Sequence, residues 1–155
     1  MECQVRLVVQ RVSSASVQVD RDTVASIDTG LLVLVAVEHG DADVDSVAAA
    51  RKVTTLRIFA DADGRMNRSV VDVGGSILAV SQFTLAADVR RGRRPSFVGA
   101  ADPEEAVPLF DRFVHECRAA GIRTETGRFG ARMEVSLVND GPVTFVIDAR
   151  GGRIV

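Results

Sequence analysis

The sequence predicts one α+β domain, with a mixed or antiparallel β-sheet and two main helices. Its 155 residues are close to the length of a single average domain, so we expect one domain over residues 1–155. Hydrophobic residues make up 46% of the chain and charged residues 26%, a balance that excludes an intrinsically disordered protein. Segments with the pattern of strands fill most of the sequence, and two segments with the pattern of helices are inserted among them. This order of elements is typical of α+β folds.

Four strands are predicted in the first quarter of the chain. Residues 5–12 are rich in valine, which favours strands. Residues 16–20 and 23–27 alternate weakly around the turn-prone pair Arg21-Asp22, and this pattern predicts a hairpin. Residues 31–37 form a run of seven apolar residues, which indicates a strand buried on both faces.

The first helix is predicted from the acidic segment at residues 41–45 to about Leu56. Its apolar residues recur at every third position, a spacing that drifts around a helix: Val44, Val47, Ala50 and Val53. Residues 61–64 then form a turn with some likeness to a calcium loop. The spacing of such a loop would require Phe59 and Val70 as ligands, so we expect no calcium site there.

The second helix has clear start and stop signals. Asp102 can cap its first turn, Pro103 suits the first helical position, and Gly121 is the natural end. Pro108 is expected to kink the helix or delay its first turns. The apolar residues share one face: Ala106, Leu109, Phe110, Phe113 and Cys117.

The remaining predicted strands lie on either side of this helix. Residues 76–85 form one strand, and the basic loop at residues 90–94 follows it. Residues 133–138 and 143–148 are two strands joined by a turn. We therefore place the folded core at about residues 5–148, with residues 1–4 and 149–155 as loose termini.

Charge and cysteine content exclude several classes of protein. The net charge of −2 disfavours a protein that coats nucleic acid non-specifically, although it is compatible with a local basic patch. Cys3 and Cys117 are too few for a disulfide framework, and we expect both to be reduced. The longest apolar run has seven residues, whereas a membrane helix needs about 20. With no signal peptide recognised, we expect a cytoplasmic protein that does not bind membranes.

The common catalytic motifs are missing from the sequence. It contains no G-x-S-x-G elbow, no phosphate-binding loop and no G-x-G-x-x-G fingerprint. Of its two histidines, His115 is expected to face solvent, whereas His39 lies either in a loop or beside a cleft. Neither histidine is expected to lie in a cysteine or carboxylate cluster with the spacing of metal ligands, so we expect no metal site and no cofactor.

Two segments are distinctive. In the first, Ser81-Gln82-Phe83-Thr84-Leu85, strand alternation places Gln82 and Thr84 on one face. This segment is either a polar strand end or part of a site. The second, Asn139-Asp140-Gly141-Pro142-Val143-Thr144, is either an ordinary turn or a cis Gly-Pro bond that aims two carbonyl oxygens in one direction.

Together these segments resemble the D-aminoacyl-tRNA deacylases, also called D-tyrosyl-tRNA deacylases. The resemblance covers about residues 5–148, and it is specific because many blocks match in order. They are Val9-Gln10-Arg11-Val12, Arg57-Ile58-Phe59, Gly64-Arg65-Met66-Asn67, residues 81–88, Arg94-Pro95-Ser96-Phe97, Thr126-Gly127-Arg128-Phe129 and residues 135–145.

The resemblance implies an enzyme that hydrolyses the ester between a D-amino acid, or glycine mischarged on tRNA-Ala, and the 3′ end of tRNA. It also implies barrel-like curvature of the sheet and a homodimer with active sites at the interface. The partner is the tRNA acceptor end, and neither DNA nor a cofactor is expected. One subunit would supply the catalytic segment, Ser81, Gln82, Phe83 and Thr84.

The other subunit would supply the selecting wall. The carbonyls of a cis Gly141-Pro142 bond would hold the substrate's α-amino group and leave no room for an L side chain, with Asn139 and Val143 beside them. Arg11 would hold this loop in its working orientation, or would be a surface arginine of a strand. The arginines of the basic loop are either solvated or in contact with the acceptor stem: Arg90, Arg91, Arg93 and Arg94.

An aminoacyl ester is already activated, so modest assistance suffices for hydrolysis. Backbone N–H groups around Phe83 and Thr84 could stabilise the oxyanion. Thr84 could be the nucleophile by residue type, but the sequence shows no base to activate it. We therefore interpret Thr84 as a positioning residue, with water as nucleophile and the 2′-hydroxyl of tRNA assisting.

Three alternatives stay open at this point. The chain could be a non-catalytic dimer that binds the tRNA end or a nucleotide, or a purely structural dimer. It could also be a relaxed relative that edits L-aminoacyl-tRNA, for which a trans Gly141-Pro142 bond would open the wall.

Overall fold

The computed structural model describes residues 4–155, and β-strands form most of it. The nine strands of this part of the chain are β1 (Val5–Val19), β2 (Asp22–Ile27), β3 (Gly30–Ala36), β4 (Phe59–Ala60), β5 (Met66–Arg68), β6 (Ser76–Ser81), β7 (Thr124–Thr126), β8 (Glu134–Arg150) and β9 (Arg153–Ile154). The helices are α1 (Asp43–Thr55) and α2 (Pro103–Ala119), and a short 3₁₀ turn spans Phe83–Ala86.

Seven of these strands form one mixed sheet that curls into a half-barrel. The strand order is β7-β6-β3-β1-β8-β9, and β2 also pairs with β1. β3, β6 and β7 run parallel, whereas β1 is antiparallel to β2, β3 and β8. β4 and β5 form a separate two-stranded sheet. The predicted α+β class with a mixed, curved sheet and two main helices is therefore confirmed.

β3 carries the core on both of its faces, as its apolar run predicts. Leu31, Val33 and Val35 point into the cluster between the sheet and the two helices. Leu32 and Leu34 point to the opposite face, inside the curl of the sheet. Because side chains alternate along a strand, one unbroken apolar segment fills both layers.

The two helices match their predictions to different degrees. All five apolar residues that were assigned to one face of α2 are buried, Gly121 follows its end with a positive φ of 87°, and Pro108 lies inside it. On α1 the apolar residues at every third position do not all lie on the buried face, because Val44 is 57% exposed. Within the described residues, neither helix has the length and apolarity that a membrane crossing requires.

The C-terminal part of the chain departs from the prediction of strand, turn and strand. β8 is one strand from Glu134 to Arg150, and both of its halves pair with β1. The last residues are not loose, because Ala149 is fully buried and β9 folds back onto β8. Gly152 donates its N–H to Asp45 Oδ1 at 2.8 Å, which fastens this end to the first turn of α1.

The N-terminal prediction can be followed from Gln4 onward. Gln4 is buried, donates its N–H to Glu38 Oε2 at 3.2 Å and accepts from Arg150 at 2.7 Å. The expectation of a loose residue is therefore wrong for Gln4. Residues 1–3, with Cys3, lie outside the described residues, whereas Cys117 is a buried free thiol whose pKa is raised to about 12 by burial.

The carboxyl group of Asp41, in the loop before α1, is partly buried. Its Oδ2 accepts the N–H of Glu38 at 2.7 Å, and its Oδ1 is buried without a partner among the described residues. Burial is the largest cause that raises the pKa of Asp41 to about 7, the N–H of Glu38 opposes the shift, and the neighbouring carboxylates of Asp45, Glu38 and Glu105 add to it. Between about pH 4 and about pH 7, Asp41 therefore keeps its proton in the folded chain but releases it in the unfolded chain.

We predict that the free energy of unfolding falls as the pH rises from about 4 to about 7, because the folded state binds the Asp41 proton more tightly. In Asp41→Asn, which has no charge to bury, this part of the pH slope should disappear. Urea unfolding at about pH 5 and about pH 8 measures the slope. Asp111→Asn, on the exposed face of α2, is the control and should keep the wild-type slope. A wild-type slope in Asp41→Asn would contradict the prediction.

Candidate active site

The first distinctive segment leaves the sheet at Ser81. β6 ends there, and Gln82 donates its N–H to the carbonyl of Val35 at 2.8 Å before the chain turns into a 3₁₀ helix. The prediction of a strand to Leu85 is therefore wrong. The physical reason is that β3, the partner of β6, itself ends at Ala36, so the next residues have no ladder to continue.

The 3₁₀ turn brings Gln82 and Thr84 together in a way that strand alternation does not describe. Gln82 Nε2 donates a hydrogen bond to Thr84 Oγ1, and Thr84 is exposed. In the described part of the chain, no histidine, lysine or carboxylate contacts the Thr84 hydroxyl. A nucleophilic hydroxyl needs such a base within hydrogen-bond reach. The geometry therefore favours a role for Thr84 in positioning.

A cavity of about 530 Å³ opens beside this segment. Ser81, Gln82 and Phe83 form one wall, and the start of α2 contributes another through Asp102, Pro103 and Ala106. Phe83 and Phe97 meet edge to face, with ring centroids 5.1 Å apart and an interplanar angle of 67°. Phe129 and Met133 also line the cavity.

The rings beside the cavity are unusually open to solvent. Phe83 is 56% exposed, and Phe97 and Phe129 are each 37% exposed. Exposed aromatic rings around a cavity are suited to stacking against a flat ligand. Sequence reasoning singled out Phe83 alone among them. Phe97 and Phe129 lie inside matched family blocks, but no local pattern marks them as site residues.

His39 has acidic neighbours that its sequence position does not reveal. Its Nδ1 lies 3.1 Å from Glu105 Oε1, and the ligand atoms of His39, Asp102 and Glu105 lie within 4.8 Å of one another. The expectation that neither histidine lies in a carboxylate cluster is therefore wrong. These side chains could hold a metal ion, but all three are partly or fully exposed. The other histidine, His115, is exposed as predicted.

The second distinctive segment is a bulge in β8. Gln10 of β1 pairs with Thr144, and Val12 pairs with Asn139. β1 therefore advances two residues while β8 uses five, and three residues of β8 are extra. The peptide bond between Gly141 and Pro142 inside this bulge is cis.

Hydrogen bonds from Arg11 and within the bulged segment hold the bulge in place. Arg11 donates from Nε to the carbonyl of Asp140 at 3.1 Å and from NH1 to the carbonyl of Ile58 at 2.7 Å. Its side chain is only 15% exposed, so it is not an ordinary surface arginine. Asn139 Oδ1 accepts the N–H of Val143 at 3.0 Å, and Val143 is buried. Asn139 and Val143 therefore support the bulge from within.

The single chain does not bring the two distinctive segments together. Ser81, Gln82 and Phe83 line the cavity, whereas Arg11 and residues 139–143 do not. Gly141 and Pro142 are exposed, on a surface of their own. Any site that uses both segments must therefore be completed from elsewhere.

Comparison with known proteins decides the family. The family described as D-Tyr-tRNA(Tyr) deacylase matches residues 8–148. The chain belongs to this deacylase family. A D-aminoacyl-tRNA deacylase of Thermomicrobium roseum is 58% identical over 152 residues, which are 96% of this chain and 99% of that protein. One of Thermus aquaticus is 51% identical over 93% of this chain and 95% of that protein.

Solved structures agree with this fold. One described as a c-Myc DNA Unwinding Element Binding Protein superposes with a TM-score of 0.85 at 37% identity, over 91% of this chain and 96% of that one. A probable eukaryotic D-amino acid tRNA deacylase superposes with a TM-score of 0.81 at 21% identity, over 94% and 99% of the two chains, and supports the fold alone. As a member of the deacylase family, the protein is a hydrolase of aminoacyl-tRNA that proofreads translation.

The basic loop of this deacylase is pinned at its base. Asp88 and Ser96 exchange backbone hydrogen bonds of 2.8 and 2.9 Å across it. Arg90 is turned back onto Asp88, with NH2 at 2.7 Å from Oδ2, and its hydrogen bonds lower the pKa of Asp88 to about 2. The other three arginines of the loop are exposed: Arg91, Arg93 and Arg94.

Gly141→Ala should destabilise the folded deacylase more than an ordinary turn substitution. Gly141 has a φ of +139°, and a Cβ there would lie 2.6 Å from Val143 Cγ2. Unfavourable backbone at such a position costs about 1–3 kcal/mol, and the contact adds to it. Urea unfolding measures the loss. Gly64→Ala is the matched control, because Gly64 also has a positive φ, of +78°, but has open space around its Cβ position. Equal losses in both variants would contradict the prediction.

Proposed function

We propose that this enzyme hydrolyses the ester of D-aminoacyl-tRNA and of glycyl-tRNA, including glycine mischarged on tRNA-Ala, and rejects L-aminoacyl-tRNA. The rejection uses Gly141 and Pro142 of a second subunit as a wall of the active site. The observation that carries this proposal is the separation of the two distinctive segments. The cavity beside Phe83 receives no residue of the bulge from its own chain, while the bulge is presented on an exposed surface.

A second copy of the chain is the partner that the surface favours. Over residues 134–148, β8 pairs with β1 along one edge and with no other described strand. Two of its valines, Val138 and Val146, are 56% and 62% exposed. Open strand edges and exposed apolar side chains favour association. A homodimer that covers β8 would place the bulge of one subunit near the other.

The proposed chemistry is direct attack by water. The water oxygen bonds to the ester carbonyl carbon, and the oxyanion is stabilised by the N–H groups of Phe83 and Thr84. These groups open the 3₁₀ turn and have no partner within it. The bond to the tRNA 3′-oxygen then breaks, and that oxygen leaves with a proton. The products are the free amino acid and tRNA, and the neighbouring 2′-hydroxyl assists the proton transfer.

The remaining contacts with tRNA follow from the surface around the cavity. Phe83, half exposed and edge to face with Phe97, offers a ring for the terminal adenine. Arg91, Arg93 and Arg94 are exposed on the loop that leads to Phe97, where they can contact acceptor-stem phosphates. A protein that grips only the end of tRNA needs one basic patch, which is compatible with a net charge of −2.

The test is deacylation of D-Tyr-tRNA and L-Tyr-tRNA side by side, corrected for spontaneous hydrolysis. We expect rapid loss of the D ester while the L ester is spared. Loss of both esters would keep the hydrolase and contradict the exclusion of L side chains, as expected of a relaxed relative. If a folded dimer hydrolyses neither ester, the protein is better described as a non-catalytic binder of the tRNA end. Glycyl-tRNA is therefore included as a third substrate, because its hydrolysis would identify a glycine-selective enzyme instead.

Thr84→Val should lower D-Tyr-tRNA hydrolysis by about tenfold to a hundredfold, which corresponds to one lost hydrogen bond in the transition state. Thr84→Ser should restore most of the rate, because it keeps the hydroxyl beside Gln82. Single-turnover kinetics gives the rates, and intact-mass analysis of the quenched reaction should show no acyl-enzyme. Wild-type turnover in Thr84→Val would remove the hydroxyl from the mechanism. A trapped acyl-Thr84 species would show that it is the nucleophile.

A further inference from the structure

The base of the bulge in β8 is tied by a hydroxyl with no role in the proposed chemistry. Thr144 is the first residue of the regular ladder beyond the bulge and pairs with Gln10. Its Oγ1 accepts from Asn139 Nδ2 at 3.0 Å and from Gln10 Nε2 at 3.5 Å. Thr144 therefore joins the residue at one end of the bulge, Asn139, to the residue opposite its other end, Gln10.

The backbone N–H of Val143, which can only donate, fixes the orientation of the Asn139 amide. A side-chain amide has one donating end and one accepting end. With its NH₂ group on Thr144, Asn139 directs Oδ1 at the N–H of Val143, which it accepts at 3.0 Å. A reversed amide would set its NH₂ group against the N–H of Val143, donor against donor. Thr144 Oγ1 accepts from the NH₂ group of the amide in this orientation and so holds Asn139 where it closes the bulge.

The hydrogen bond of Asn139 and the hydrogen bond of Arg11 hold opposite ends of the extra residues. Arg11 holds the carbonyl of Asp140, at the start of the extra residues, and Asn139 holds the N–H of Val143, at their end. Gly141 and Pro142 lie between these two fastened points. Their placement therefore depends on both contacts, and the second depends on Thr144.

We propose that Thr144 is a positioning residue for chiral selection, acting through Asn139 on the placement of Gly141 and Pro142. The inference rests on the proposed function, in which these two residues exclude an L side chain. Exclusion of the L side chain requires Gly141 and Pro142 to keep their positions, since a small displacement of these residues admits the L enantiomer. Removing the Thr144 hydroxyl lets the bulge relax and admits L-aminoacyl-tRNA.

The test compares Thr144→Val, Thr144→Ser and the control Thr23→Val. Thr23 is a matched control because it is an exposed strand threonine that also pairs with a glutamine of β1, Gln18, but lies away from the bulge. The readout is the ratio of kcat/KM for D-Tyr-tRNA to that for L-Tyr-tRNA. Thr144→Val should lower this ratio by about fivefold to tenfold, the worth of one hydrogen bond. Thr144→Ser and Thr23→Val should keep it.

Measuring the effect of Thr144→Val in an Asn139→Ala variant shows whether Thr144 acts through Asn139. In Asn139→Ala the ratio should already be low, and adding Thr144→Val should lower it no further. An unchanged ratio in Thr144→Val overturns the inference. So does a loss that adds in full to that of Asn139→Ala, because Thr144 would then act by another route.

An amide-exchange measurement keeps this inference separate from the proposed function. The N–H of Val143 should exchange with solvent about fivefold to tenfold faster in Thr144→Val than in wild type or Thr144→Ser. Wild-type exchange in Thr144→Val overturns the positioning role whatever the activity. If wild-type enzyme fails to discriminate D from L while the exchange effect is present, the proposed selection fails and the link between Thr144 and the bulge stands.

Discussion

The ladder between β1 and β8 is the interaction on which the rest of the structure depends. It is formed in two stretches, one on either side of the bulge, and the register shifts both between Gln10 and Val12 and between Val12 and Ser14. Because both stretches are paired, the extra residues of β8 cannot be absorbed by slippage and must project from the sheet. Gly141 and Pro142 are therefore held on the surface by the pairing of their neighbours. Arg11 and Asn139 then replace the ladder hydrogen bonds that the bulge loses.

The same strand organises the cavity from its other edge. β1 pairs with β3, and β3 carries β6 in parallel, so that the end of β3 at Ala36 decides where β6 stops. The chain then turns at Gln82 and leaves Phe83 exposed. The loop after β3 bridges to the segment after Phe97, through His39 N–H on the carbonyl of Gly99 at 3.0 Å. The end of β6, the loops around it and the start of α2 thus form the walls of the cavity.

Much of the fold could be predicted because its signals are local. The apolar run of β3, the single apolar face of α2 and the turn glycine at Gly121 each act within a few residues. Family blocks identified both functional segments in the same way, since residue identities are read directly from the chain. The strand predicted to reach Leu85 failed because its end is set by a neighbouring strand. The fastening of residues 149–155 was missed for a similar reason, since Asp45 is more than 100 residues away from Gly152.

The α+β class, the buried central strand and the second helix follow from the sequence alone, as do the two segments that we propose as parts of the active site. Only the folded structure shows how those segments are placed and what they contact. It showed that Gly141-Pro142 sits in a bulge rather than a hairpin turn, that Arg11 is fastened to two carbonyls, and that Phe97 and Phe129 join Phe83 at the cavity. The physical reason is that local propensity acts over a few residues. Register, strand ends and side-chain partners depend on contacts between residues far apart in sequence.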